Sequence, residues 1–135
     1  MSDQAAILFA NDAFYVAFMN HDIEAMDDLW ARIPTISCIH PGWNHLLGRD
    51  LVIESWDSIL ANHDGPSFTI EGAMANIYND MAVVICYEEF KMATLVATNI
   101  FVREEGFWRI MHHQASASPP PPPVSGENNQ VKTIQ

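Results

Sequence analysis

The fold of this chain is decided by residues 67–114, which read SFTIEGAMANIYNDMAVVICYEEFKMATLVATNIFVREEGFWRIMHHQ. Within this stretch the pattern changes from the period of helices to the alternating period of strands. Short breaks divide it into four predicted strands, at residues 68–78, 81–92, 94–103 and 107–114. Because the breaks are too short for a crossover helix, we expect the strands to pair as antiparallel hairpins.

Three segments before these strands repeat apolar residues at helical spacing, which indicates amphipathic helices. They cover residues 2–20, 22–34 and 50–60, and the second ends at a proline. A short strand is predicted at residues 35–40, followed by a polar loop. Helices first and strands afterwards predict an α+β fold, with three N-terminal helices packed on one face of an antiparallel sheet.

The composition indicates one domain away from membranes. The chain has 135 residues, of which 49% are apolar, which is enough for a single core. No apolar run reaches the roughly 18 to 20 residues that a membrane helix needs. The N-terminal MSDQ lacks the basic flank of a signal peptide. Cys38 and Cys86 lie in apolar runs, so we expect two buried thiols in a reducing compartment, the cytoplasm.

The charge argues against several classes of partner. The net charge of −11 arises from 17 acidic and 6 basic residues, so neither nucleic acid nor an anionic membrane is an expected partner. The acidic residues are dispersed in pairs, which is typical of a solvated surface. The histidines do not have the close spacing of zinc sites, so neither a metal nor another cofactor is expected.

The C-terminal residues change character after residue 116. Five consecutive prolines at residues 119–123 precede a polar segment, a composition that favours polyproline II and buries no core. The sequence therefore predicts a folded domain over residues 1–116 and a flexible, Pro-rich tail over residues 117–135. A tail that docks into an aromatic-lined groove is the alternative interpretation.

Three parts of the chain resemble the nuclear transport factor 2-like superfamily, in the order in which that superfamily has them. These parts are FYVAFMNHDI at residues 14–23, CIHPG at 38–42 with the segment 47–60, and GFWRIMHHQAS at 106–116. The similarity is greatest to the SnoaL-like branch, which contains polyketide cyclases and many members without an assigned activity. The resemblance implies a cystatin-like cone, in which helices pack on a strongly bent antiparallel sheet around one pocket.

The resemblance to ketosteroid isomerase, a relative in fold, suggests catalytic residues. It places Tyr15 at the position of that enzyme's oxyanion tyrosine and His40 at the position of its catalytic aspartate. Thr98, with Asn99 adjacent, falls at the position of its protonated aspartate. A neutral imidazole accepts a proton near neutral pH, and a tyrosine hydroxyl stabilises an enolate.

The first functional hypothesis is therefore proton transfer on a small carbonyl compound, by an isomerase, cyclase or dehydratase with His40 as base and Tyr15 as donor. The structural alternative makes His40 a strand-end residue bonded to a backbone carbonyl and Tyr15 an aromatic side chain packed on the sheet.

Further side chains are candidates for lining the pocket. Trp30 and Trp56 lie on the apolar faces of predicted helices, and Trp43 lies in a loop where it can act as a lid. Core packing is the alternative role for the two helical tryptophans. Alternation on the last strand places His112 and His113 on opposite faces, and we assign His112 to the interior.

The second functional hypothesis is a non-catalytic ligand-binding or assembly module. Both faces of the strand at residues 81–92 carry apolar side chains, whereas a sheet with one solvated face alternates with polar ones. One layer of helices covers only one face. We therefore predict a homodimer through the outer, convex face of the sheet, and a small apolar or carbonyl-containing ligand for the pocket.

Overall fold

The structure is a computed structural model that describes residues 1–123. Its elements, in chain order, are α1 (Asp3–Met19), α2 (Ile23–Leu29), β1 (Ser37–Ile39), β2 (Leu46–Leu47), α3 (Arg49–Ala61), β3 (Phe68–Tyr78), β4 (Met81–Phe90), β5 (Thr94–Glu104) and β6 (Phe107–Ser118). The predicted fold class is confirmed, because three helices combine with one sheet in an α+β domain. Of the predicted tail, residues 124–135 lie outside the part that the structure describes.

α1 and α2 begin where the sequence provides caps, whereas α3 begins after Gly48 without a side-chain cap. The Ser2 side chain accepts a hydrogen bond from the Ala5 amide at 3.1 Å, and the Asp22 side chain does the same for Ala25 at 3.1 Å. Such caps satisfy amide groups that have no partner within the helix. Within residues 1–123, no helix is both long and apolar enough to cross a bilayer.

The six strands form one sheet in the order β2-β1-β6-β5-β4-β3. The four long strands pair antiparallel with one another, as their short connections predict. β1 instead pairs parallel with β6, so the sheet is mixed. The two-residue β2 was not predicted, because it lies in the polar loop and gains its partner only when that loop folds back on β1.

Two irregularities interrupt the ladders of this sheet. The pairing of β3 with β4 shifts between Glu71 and Met74, where Gly72 adopts a φ of 65°. The pairing of β5 with β6 shifts at Ile100, where Met111 is an extra residue on β6. Bulges of this kind bend a strand and increase its twist, so they favour a curved sheet with an inner face.

The core lies between the inner face of the sheet and the helices. α1 packs on β3, β4 and β6, and α3 packs on α2 and on the β1–β2 pair. The largest buried side chains are aromatic and come from all three helical segments, namely Phe14, Tyr15, Trp30 and Trp56. Phe14 packs edge-to-face against each of the other three, with ring centroids 4.9 Å from Tyr15, 6.4 Å from Trp30 and 5.5 Å from Trp56.

Candidate functional site

A group of polar side chains lies buried between α1 and the inner face of the sheet. It consists of Asn11 and Tyr15 from α1, Glu88 from β4, Asn99 from β5 and His113 from β6, and is called here the buried polar network. None of the five is more than 2% exposed. Polar groups buried to this extent destabilise a fold unless they are hydrogen-bonded to one another.

Asn99 is the centre of this network. Its Nδ2 donates to Asn11 Oδ1 at 2.9 Å and to the Tyr15 hydroxyl oxygen at 3.2 Å. Its Oδ1 lies 2.6 Å from His113 Nδ1. Because that oxygen only accepts, His113 carries its proton on Nδ1. The Tyr15 hydroxyl in turn donates to Glu88 Oε2 at 2.7 Å, so the hydrogen bonds run in one direction from His113 to Glu88.

Burial shifts the proton affinities of the ionisable members. The pKa of Glu88 is raised by burial, and the hydrogen bond from Tyr15 opposes that shift. The pKa of Tyr15 is raised well above its ordinary value, first by burial and then by the charge of Glu88. The pKa of His113 is lowered to about 3, mainly by burial, so this imidazole is neutral at pH 7.

His40 lies beside the network but is not bonded to it. Its Nε2 is 2.9 Å from Ser55 Oγ, and Ser55 donates its only proton to the Val52 carbonyl at 2.6 Å. His40 Nε2 therefore carries the proton and donates it to Ser55, which leaves Nδ1 as the basic nitrogen. Burial lowers the pKa of His40 to about 4. Its ring centroid lies 6.4 Å from that of His113.

An apolar pocket opens where the carboxyl ends of α1 and α3 meet the ends of β3 and β4. Its volume is about 490 Å³, and none of its lining residues is Asp, Glu, Lys or Arg. The lining residues are Phe18, Met19, His21, Trp43, Ser58, Ile59, Leu60, Asn62, Gly65, Pro66, Ser67, Phe68 and Phe90. Trp43 is therefore the one tryptophan of the predicted three that lines this pocket.

Aromatic rings separate each member of the proposed catalytic pair from the apolar pocket. Tyr15 and His40 are 1% and 4% exposed, and neither lines the apolar pocket. Tyr15 contacts two of the pocket's lining residues, with ring centroids 6.1 Å from Phe68 and 6.5 Å from Phe18. His40 contacts a third, because its ring centroid is 4.8 Å from that of Trp43. Both candidates thus lie directly behind aromatic side chains that form the pocket wall.

The other two tryptophans lie in the core. Trp56 packs edge-on against His40, with ring centroids 4.8 Å apart, and Trp30 packs against Phe14 at 6.4 Å. Both are fully buried. Neither indole Nε1 has a hydrogen-bond partner in residues 1–123. Their observed positions match the core role that the sequence left open.

The assignment of His112 to the interior is wrong. His113 is the histidine that faces the buried polar network, whereas His112 Nδ1 lies 2.7 Å from Ser37 Oγ and is only partly buried. The reason is the bulge on β6. Ile110 and His112 pair with consecutive residues of β5, so the extra Met111 between them reverses the alternation.

Thr98 is also misplaced by the sequence prediction. Its neighbours Ala97 and Asn99 are buried on the inner face of β5, and Thr98 itself pairs with Ile85 on the outer face. Successive side chains of a strand point to opposite faces, so only one of Thr98 and Asn99 can face the interior. Asn99 is that residue.

Besides His113, two residues of the network were not predicted as site residues. Glu88 continues the alternation of Ala82, Val84 and Cys86 along β4, and this spacing was the signal that places its carboxyl on the inner face. Asn11 lies on the apolar stripe of α1 between Ile7 and Phe14, and a polar residue on such a stripe was a second signal. Among residues 1–123, no three His, Cys, Asp or Glu side chains lie close enough to hold a metal ion together.

Comparison with known proteins gives the family to which this chain belongs. The model of the SnoaL-like domain matches residues 7–120, and the chain belongs to that family. Similar solved structures include proteins described as NTF2-like or as having a cystatin-like fold. The resemblance inferred from the sequence is therefore confirmed.

Three relatives are informative in particular. A Streptomyces avermitilis protein described as "a putative dehydratase from the NTF2-like family" is 32% identical, covering 86% of this chain and 96% of its own, with a TM-score of 0.78. A Thiobacillus denitrificans protein described as a "putative calcium/calmodulin-dependent protein kinase type II association domain" is 29% identical, covering 82% of this chain and 93% of its own, with a TM-score of 0.74. The F-box protein SKIP8 of Arabidopsis thaliana is 28% identical over 113 residues, which are 82% of this chain. The chain spans about half the length of that curated relative, 49%.

Proposed function

We propose that this domain binds a small, neutral carbonyl compound and transfers a proton on it, as an isomerase, cyclase or dehydratase does. The observation that supports the proposal is that the buried polar network lies directly behind aromatic side chains of the apolar pocket's wall. Tyr15 packs against both Phe18 and Phe68, which line that pocket. The Streptomyces avermitilis relative, described as a putative dehydratase, is consistent with chemistry of this class.

The energetics of the network favour a functional role. A buried carboxyl group with no cationic partner is costly, and apolar side chains of similar size would give a more stable core. Within residues 1–123, Glu88 is 2% exposed and its carboxylate makes no ion pair. Ionisable groups with perturbed pKa values collect at functional sites more often than elsewhere. A purely structural core would not need Glu88, Tyr15 and two buried imidazoles together.

In this proposal His40 is the base and Tyr15 is the hydrogen-bond donor to the carbonyl oxygen. His40 is neutral at pH 7, because burial lowers its pKa to about 4, and its unprotonated Nδ1 has only a long contact of 3.9 Å, to the Cys38 thiol, within residues 1–123. A ligand reaches both groups only when the intervening rings turn. Trp43 is suited to that movement because it lies in a loop, is 47% exposed and contacts His40 directly.

The pocket indicates the class of ligand. Its volume of about 490 Å³ is within the range of small-molecule sites. Its wall carries no Asp, Glu, Lys or Arg side chain, and the chain's net charge of −11 repels anions. A neutral cyclic ketone therefore fits better than a carboxylate or a phosphorylated compound.

Proton exchange into deuterated water tests this proposal without knowledge of the natural substrate. A panel of cyclic ketones, 1-tetralone among them, is incubated with the protein in D2O, and deuterium uptake beside the carbonyl is followed by proton NMR. A positioned base contributes about 10²–10⁴-fold, so His40→Gln and Tyr15→Phe should each slow the exchange at least about tenfold. The matched controls are His45→Gln and Tyr78→Phe, both at exposed positions. Exchange no faster than in buffer for every ketone would refute the proposal.

A second candidate function, assembly, is favoured by the outer face of the sheet. Apolar side chains are exposed there, with Met74 at 70%, Ile85 at 44% and Tyr78 at 58%. Met74 and Ile85 are paired across β3 and β4, so they form one continuous patch. The similar Thiobacillus denitrificans protein is described as an association domain. Single exposed apolar residues are normal on a protein surface, whereas a continuous apolar patch is typical of an interaction site. We propose that two copies of the chain pair through this face.

Sedimentation at micromolar concentration tests the homodimer. We expect the wild-type chain to sediment as a dimer and Ile85→Glu to sediment as a monomer, because the variant places two charges in the apolar contact. Leu51→Glu on α3 is the control, since Leu51 is 51% exposed and lies away from the sheet's outer face. A monomeric wild-type chain would contradict the dimer.

A further inference from the structure

The hydroxyl proton of Tyr15 has a single destination in this structure. It is donated to Glu88 Oε2 at 2.7 Å. The hydroxyl oxygen accepts hydrogen bonds from the Asn99 amide at 3.2 Å and from the Cys86 thiol at 3.5 Å. Because a tyrosine hydroxyl has only one proton, Tyr15 has none to offer to a ligand in this arrangement.

The protonation state of Glu88 decides whether that arrangement can change. Hydrogen bonds to an ionised group are about twice as strong as those between neutral groups, so a ligand carbonyl competes poorly with a Glu88 carboxylate. A neutral Glu88 carboxyl group carries its own proton and can donate it to the Tyr15 oxygen. The weak contact from the Cys86 thiol then gives way, and the Tyr15 hydroxyl is free to turn.

We propose that Glu88 controls the direction of the Tyr15 hydrogen bond: as a carboxylate it holds the hydroxyl proton, and as a neutral carboxyl it releases that proton toward a ligand oxygen. Glu88 is thus a positioning residue that acts through Tyr15. The part concerning Glu88 and Tyr15 applies to the free protein, whereas the part concerning a ligand rests on the proposed function.

The groups around Glu88 favour a carboxyl group that loses its proton at a higher pH than an exposed glutamate does. α1 presents Tyr15 and, at an exposed position near Cys86, Asp12, while β5 places the apolar Leu95 opposite Glu88. β3 places the apolar Ile70 opposite it, and its own strand supplies the Cys86 thiol.

The pKa of Glu88 is raised by burial, although the hydrogen bond from Tyr15 lowers it in part. The nearby imidazoles do not titrate in the same range, because burial lowers the pKa of His40 to about 4 and that of His113 to about 3.

A carbon-13 NMR titration of the free protein tests the first part. The chain is labelled at the Cζ of tyrosine and the Cδ of glutamate, and the Tyr15 signal is assigned by its loss in Tyr15→Phe. We expect the Tyr15 Cζ and Glu88 Cδ signals to shift with one common midpoint. In Glu88→Gln the Tyr15 signal should stay constant over this pH range, because a glutamine amide does not titrate.

Glu71→Gln is the control, since Glu71 is exposed on β3 and should leave the Tyr15 step unchanged. A Tyr15 signal that does not follow Glu88, or a step that persists in Glu88→Gln, would overturn the inference.

A ligand titration tests the second part. Binding of 6-fluoro-1-tetralone is followed by fluorine-19 NMR between pH 5 and 8. Above the Glu88 midpoint, the affinity of the wild-type protein should fall by about tenfold per pH unit, because binding takes up one proton. The affinity of Glu88→Gln should not depend on pH. Binding of 6-fluorotetralin, which lacks the carbonyl, should be pH-independent in both proteins.

The two proposals fail in different ways. Tetralone affinity that is independent of pH in the wild-type protein would overturn the inference about Glu88 and leave the binding site intact. No tetralone binding to either protein would count against the proposed function, and the carbon-13 titration would then decide the inference by itself.

Discussion

The replacement of Asn99 by valine removes the centre of the buried polar network. Valine suits a strand and fills a volume near that of asparagine, so the change removes an amide without leaving a large cavity. Two groups lose their partner in the variant, namely Asn11 Oδ1 and the Nδ1 proton of His113. Tyr15 keeps its hydrogen bond to Glu88.

The magnitude follows from the number of groups left without a partner. Each buried, unpaired polar group costs about 1–3 kcal/mol, so the two together should lower the free energy of unfolding by about 2–6 kcal/mol. A domain of this size has a total stability of about 5–15 kcal/mol. The variant is therefore expected to lose a large share of its stability while retaining its secondary structure in the absence of denaturant.

Urea unfolding followed by circular dichroism measures this difference. The control is Asn76→Val, at an exposed position on β3, which should change the stability by less than about 0.5 kcal/mol. A second variant tests the cause. Adding His113→Phe to Asn99→Val removes one of the two unpaired groups, so the double variant should regain about 1–3 kcal/mol. Equal stability of Asn99→Val and the control, or a further loss in the double variant, would refute this account of the network.

Two further predictions concern acid stability and the bulge in β3. The folded pKa values of His40 and His113 are about 4 and about 3, below the ordinary imidazole value, so the unfolded chain takes up protons first as the pH falls. Each of the two imidazoles should thus lower the free energy of unfolding by up to about 2 kcal/mol between pH 6.5 and 5. Urea unfolding should show a smaller decrease for His113→Phe than for the wild-type protein. An equal decrease in the two proteins would contradict the burial of a neutral His113. Gly72→Ala should cost about 1 kcal/mol or more by the same assay, because Gly72 has a φ of 65° although its surroundings leave room for a Cβ. Gly65→Ala, at a position without positive φ, is its control and should be nearly neutral.

Much of the fold was predictable because its signals are local. Periodicity along the chain separates the helical segments from the four long strands, and it placed β3 over the residues that the structure shows. Errors arose where one element depends on another. β4 ends at Phe90 rather than two residues later, because the Phe90 amide donates to the Ala93 carbonyl in the turn. The parallel pairing of β1 with β6 had no local signal, because the two strands lie far apart in the chain.

The candidate site was predictable only in part. Tyr15 and Asn99 were named from the resemblance, and both lie in the buried polar network. Their partner Glu88 was not named, although alternation along β4 indicated an inward side chain, and its contact with Tyr15 depends on α1 lying over β4. The roles proposed for His40 and Tyr15 stay predictions until the exchange experiment is done.

The sequence by itself determined the types and order of the elements other than β2, the antiparallel hairpins and the family, because periodicity, turn residues and motif order can be recognised along the chain. The tertiary structure decided which face each side chain occupies beyond a bulge, as at His112 and His113, because an extra residue shows only in the register with the neighbouring strand. It also decided the destination of the Tyr15 proton. Tyr15 and Glu88 are 73 residues apart in the chain, and only the packing of α1 on the sheet brings the hydroxyl within hydrogen-bond distance of the carboxyl.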